Sequence, residues 1–178
     1  MKKKVLSIVA VVLVLCCAIG GTLAWLTDKT DPVVNTFTVG DINIDLTESK
    51  NLNLKMVPGN TITKDPKVTV KANSEACWLF VKVEESSNFD NFMTYEMADG
   101  WTALAGVEGV FYREVDATTT ATEFSVLKDN SVLVKDSVTK TMLNGLGETT
   151  FPTLTFTAYA VQKDNVNSAA DAWTKANA

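Results

Sequence analysis

The chain has 178 residues, 16 basic and 21 acidic, with three cysteines and no histidine. Without histidine there is no Ser/His/Asp triad, no Cys/His pair and no imidazole-based zinc site. A net charge of −5 argues against nucleic acid as a partner, because that affinity rests on phosphate neutralisation by Lys and Arg.

The N-terminus reads as a secretory signal peptide. Met1 is followed by Lys2, Lys3 and Lys4, then an apolar run from Val5 to Ile19 and a small-residue exit, Gly20 to Ala24. The run is short of the roughly 20 apolar residues that a membrane-spanning helix needs. Cleavage is expected between Ala24 and Trp25, giving a signal peptide over 1–24 and a single domain over 25–178. A retained signal anchor is the alternative. Cutting there removes three of the 16 basic residues and none of the 21 acidic ones, taking the net charge from −5 to −8. Cys16 and Cys17 leave with the signal, and the residue before each (Leu15, Cys16) is not the small one that a lipid-attachment site wants. Cys77 then stands alone in an apolar run, as a buried small hydrophobe.

The rest of the chain is rich in period-two patterns. Asp41-Ile42-Asn43-Ile44-Asp45-Leu46 places its apolar residues on one strand face, and Gly40 marks a bend before it. Leu52 to Val57 alternates and ends at the turn signal Pro58-Gly59-Asn60. Val68 and Val70 alternate with Thr69 and Lys71, and Trp78 to Val83 is apolar throughout, as in a strand covered on both faces. Further strands are expected at Val110–Val115, Glu123–Leu127, Val132–Lys135 and Leu154–Val161. A short helix is expected near Phe89–Tyr95, and Val138, Met142, Leu143 and Leu146 make one helical stripe. Ser168-Ala169-Ala170-Asp171 resembles a capping box that opens a C-terminal helix anchored by Trp173. The sum predicts a mainly β protein, an antiparallel jelly-roll-like β-sandwich with short helices, one near the C-terminus.

No catalytic or metal-binding residues are expected. Asp41-x-Asn43-x-Asp45 imitates the start of a calcium loop, but Leu46 and Leu52 stand where Gly and Glu belong, leaving surface calcium a weak alternative to no cofactor.

Gly20 to Asp28, followed by Asn35-Thr36-Phe37-Thr38-Val39-Gly40-Asp41-Ile42-Asn43-Ile44 and by Pro58 to Lys64, resembles the TasA/camelysin family of Gram-positive bacteria. The resemblance implies export with a SipW-type signal peptidase and a place in the biofilm matrix or on the cell surface. It also implies fibres in which an N-terminal segment of one subunit completes the sheet of the next. Copies of the chain or homologous fibre subunits are then its partners, with no nucleic acid and no membrane after cleavage. Residues 25–37 would form the donor arm, with Trp25, Leu26, Val33, Val34 and Phe37 making the contact and Pro32 as a hinge. The alternative is a monomeric surface adhesin or binding module using loops 86–109 and 136–150. A secreted peptidase, the label some members carry, is disfavoured by the absence of histidine.

Overall fold

The computed structural model describes residues 41–49 and 55–177, all within one compact unit, Val39–Ala178. The signal peptide, the cleavage point Ala24/Trp25, the arm residues Trp25, Leu26, Val33, Val34 and Phe37, Gly40, Leu52 and Leu54 lie outside the described residues.

In chain order the elements are β1 (Ile44–Thr47), β2 (Thr61–Thr63), β3 (Lys67–Val70), β4 (Cys77–Glu85), α1 (Phe89–Phe92), β5 (Met93–Thr94), β6 (Thr102–Ala103) and β7 (Val110–Val115). Then follow β8 (Thr122–Ser125), a 3-10 turn (Lys128–Asn130), β9 (Ser131–Val134), α2 (Lys140–Asn144), β10 (Leu154–Gln162) and α3 (Ala169–Ala176). The strands form three antiparallel sheets, in the orders β1-β3-β8, β10-β4-β7-β6 and β2-β9-β5. The protein is thus mainly β and antiparallel, with short helices, one of them near the C-terminus.

The continuous apolar run of β4 is explained by two separate cores. Cys77, Leu79, Val81 and Val83 face a core shared with β2, β3 and β9 through Ile62, Val68, Val70, Val132 and Val134. Trp78 and Phe80, on the opposite face, pack with Val110, Val166, Ala169 and Ala172. A strand between two cores has no polar face to offer, so the alternation seen in β3 (buried Val68 and Val70, half-buried Lys67 and Thr69) disappears. The indole nitrogen of Trp78 donates to the Val166 carbonyl at 3.1 Å, satisfying a buried polar group.

At the C-terminus, Ser168 accepts from the Asp171 amide at 3.1 Å, as the capping pattern predicts. Trp173 packs on Phe80 and Tyr159, with ring centroids 5.3 and 5.2 Å away. It is not the helix's sole anchor: Ala169 and Ala172 are buried, and their small side chains let α3 lie close on the sheet.

Several expected boundaries shift. Lys55–Val57 is not strand: the chain is already entering a turn, in which Gly59 has φ +78° and the Asn60 amide donates to the Val57 carbonyl at 3.0 Å. The helix at Phe89 stops at Phe92, because Met93 and Thr94 pair with Val134 and Leu133 of β9. The ladder of β8 with β3 ends at Ser125; beyond it buried Val126 still donates its amide to the Pro66 carbonyl at 2.9 Å and buried Leu127 makes an isolated bridge with Met97. Of the stripe Val138–Leu146, only Lys140–Asn144 is helical, capped by the Thr139 hydroxyl accepting from the Met142 amide.

Candidate functional site

The open feature of the molecule is β10. Along one side it pairs with β4 over its whole length, from Leu154 opposite Glu85 to Gln162 opposite Cys77. Its other side pairs with no strand among the described residues. β1 lies against β10 without joining its ladder. Leu154, Phe156, Ala158 and Ala160 face the first core, yet each is only half-buried, whereas Leu79, Val81 and Val83 beside them are buried. Ala158 and Ala160 are short, so the core thins toward this edge. An edge of this kind exposes backbone donors and acceptors next to uncovered apolar surface.

A cleft of about 650 Å³ opens at the Leu154 end. Ile62, Val132, Phe89 and Met93 supply apolar surface from the sheet side, and Leu143, Leu146 and Phe151 from the segment before β10. Phe151 is 49% exposed, unusual for a phenylalanine. A smaller hollow of about 320 Å³ shares Leu154 and runs past Phe156, Leu46 and Pro66. Lys64 lines the larger cleft, where its ammonium meets Glu48 at 2.8 and 3.1 Å and lies 5.4 Å from the Phe156 ring centre. The carboxylate neutralises that lysine, so the surface here is chiefly apolar.

The two stretches read as ligand-facing loops meet in the cleft: Phe89 and Met93 come from 86–109, Leu143 and Leu146 from 136–150. Sequence could not place them together, because their meeting depends on β9 and β10. The signal that was available is Leu143, Leu146 and Phe151 standing apolar in a polar stretch.

The other candidates have local partners. Asp45 pairs with Lys71 at 3.0 Å, and the Asn43 side chain donates to Asp41 at 2.7 Å. Tyr95 donates its hydroxyl to Glu85 at 2.8 Å, and burial pushes its ionisation well above the ordinary phenol value. Cys77 is fully buried, and burial pushes its thiol up to about 11. It is therefore a neutral packing group at physiological pH, neither nucleophile nor metal ligand. No helix among the described residues is long and apolar enough to cross a membrane.

This is a mainly β domain in which one strand edge, unpaired among the described residues, runs beside an apolar cleft. Over residues 1–87 the chain matches the family model described as camelysin metallo-endopeptidase, so the TasA/camelysin resemblance holds over that stretch. No curated protein and no solved structure matches the chain. The metal implied by the family's description does not fit the residues: the chain has no histidine, Cys77 is sealed in the core, and no three His, Cys, Asp or Glu side chains converge among the described residues.

Proposed function

We propose that this chain is a secreted, non-catalytic structural subunit of extracellular, biofilm-matrix fibres, assembling by N-terminal strand donation. The observation that supports this reading is the edge of β10, unpaired among the described residues, with its half-buried apolar row. A strand laid there would pair with the edge and cover Phe156, Ala158 and Ala160. At about 3.3 Å per residue, the nine residues of β10 span roughly 30 Å, within reach of an extended arm from Trp25 to Phe37. The cleft beyond Leu154 would take the arm's bulky apolar side chains, and a contact of this head-to-tail kind propagates. The partners are copies of the chain or homologous subunits, after cleavage before Trp25 by a SipW-type peptidase.

Electron microscopy of the mature chain tests this. Filaments are expected from the chain beginning at Trp25, and soluble monomers of unchanged circular dichroism after deletion of Trp25–Asp31. Fibres from the truncated chain would overturn donation by this arm. An Ala158→Glu variant, charged on the acceptor row but intact in its arm, should cap growing ends and shorten wild-type filaments when mixed in.

The convergence of residues from 86–109 and 136–150 favours a second reading, a surface binding module whose cleft takes an apolar ligand. Leu146→Glu would then abolish ligand attachment and leave filaments intact.

A further inference from the structure

Asn144 is followed by Gly145, and no other asparagine in the chain precedes a glycine. The pair closes α2: Asn144 is the last helical residue and Gly145 comes next, both exposed. The backbone makes no demand for glycine here. Its φ of −80° and ψ of −6° are values that most residues adopt at the end of a turn. A Cβ would meet nothing nearer than the Met142 carbonyl oxygen at 3.4 Å, an ordinary contact. The positive φ that calls for glycine at many helix ends is absent. A plain helix stop therefore accounts for the end of α2 but not for the glycine.

What glycine changes is the chemistry of its neighbour. An asparagine side chain is open to attack by the backbone nitrogen of the next residue, and without a Cβ that nitrogen is uncrowded. Once its proton is lost to solvent, the Gly145 nitrogen adds to Asn144 Cγ. The new C–N bond replaces the bond from Cγ to Nδ2, and ammonia leaves with a proton taken from water. Water then opens the five-membered imide at either carbonyl, giving aspartate or isoaspartate. Nothing is oxidised or reduced; one amide and one water become a carboxylate and an ammonium ion.

In the folded chain α2 opposes this step. The Gly145 amide donates to the carbonyls of Thr141 at 3.1 Å and Met142 at 3.2 Å, which holds its nitrogen against the helix. Attack also requires Asn144 to leave its helical ψ. Yet α2 has five residues, none of them fully buried, and one side-chain cap, the Thr139 hydroxyl accepting from the Met142 amide at 3.3 Å. So short a helix is marginal by itself and opens locally while the sheets stay folded.

We propose that Asn144 is a site of spontaneous deamidation, gated by the opening of α2. The product is a carboxylate placed in the chain between Leu143 and Leu146, both of which line the apolar cleft. A subunit that ages with α2 opening freely gains a negative charge beside that wall.

Peptide mapping by mass spectrometry of the mature chain, held at neutral pH, tests this, with the aspartate and isoaspartate products separated by chromatography. Asn144 should react before every other asparagine, but more slowly than in a free peptide of residues 139–147. Thr139→Ala removes the cap and should speed the reaction about fivefold, whereas Thr139→Ser should keep the wild-type rate. Gly145→Ala, which the backbone accepts, should slow Asn144 to the rate of the other asparagines. Thermal melts check that each variant keeps its fold. Another asparagine reacting first, a T139A rate equal to wild type, or a peptide no faster than the folded chain would overturn the proposal. If the cleft is filled on assembly, as the fibre reading has it, its occupant packs on Leu143 and Leu146 and keeps α2 closed. Asn144 should then react more slowly in filaments than in free subunits. Equal rates there, with T139A still faster, would uphold the site and count against filling of the cleft.

Discussion

Gly109 is fixed by two independent constraints. Its φ of +70° is one that side chains disfavour, and a Cβ would lie 2.4 Å from the Val83 carbonyl oxygen. The Val83 amide also donates to the Gly109 carbonyl at 2.7 Å, so the turn cannot move away without breaking a ladder contact. Gly109→Ala should therefore cost about 2 kcal/mol or more, the sum of backbone strain and forced displacement, read as a lower urea midpoint with unchanged slope. Trp78→Phe keeps the ring but leaves the buried Val166 carbonyl without its donor, and should cost roughly 1–3 kcal/mol by the same measurement. Neither constraint is visible in sequence. Gly109 reads as one more loop glycine, because what it meets is a carbonyl 26 residues away.

At the scale of elements, legibility follows how local the cause is. Ser168 and Asp171 announce α3 because a cap is built within four residues, and Ser168→Ala should cost about 1 kcal/mol and fray the helix in hydrogen exchange. Val68 and Val70 announce β3 because one side of the strand is wet. β4 was also readable, from the opposite signal: apolar residues on both faces. β5 and β6 were not, since each has only two residues and exists through its partner, β9 or β7. Lys55–Val57 had the right alternation and no strand, since a turn held by Asn60 and Val57 comes too soon. The half-buried row of β10 shows the remaining limit. Leu154–Val161 predicts a strand, but only its place at the end of a sheet makes it an edge.

For the whole molecule, pH acts on fold and on assembly with different signs. Hydrogen bonds from the Ser49 hydroxyl and amide hold the Asp65 carboxyl below its ordinary value, and the Lys128 ammonium does the same for Glu96. Depressed carboxyls contribute stability above the unfolded value, about pH 4, which is lost as pH falls through their folded values. Lys67, Lys82, Lys128 and Lys163 are each raised by a carboxylate partner, and their contribution is present below about pH 10 and lost as pH rises through the folded values. Melting temperature should thus fall at both extremes. Association should instead improve as pH drops from 7 toward about 5, where acids begin to protonate and self-repulsion eases. Light scattering that stays flat over that interval would contradict it.

The position of Cys77 has a practical consequence. In a chain cut after Ala24 it is the sole thiol, and it is wholly enclosed at the start of the strand on which both cores rest. A thiol reagent can reach it only when that strand comes free of its neighbours. Alkylation rate then becomes a built-in gauge of global opening, readable by mass spectrometry on free subunits and on assembled material alike. If a donated strand covers the edge of β10, the sheet partner of β4, the same cysteine should label more slowly in filaments than in monomers.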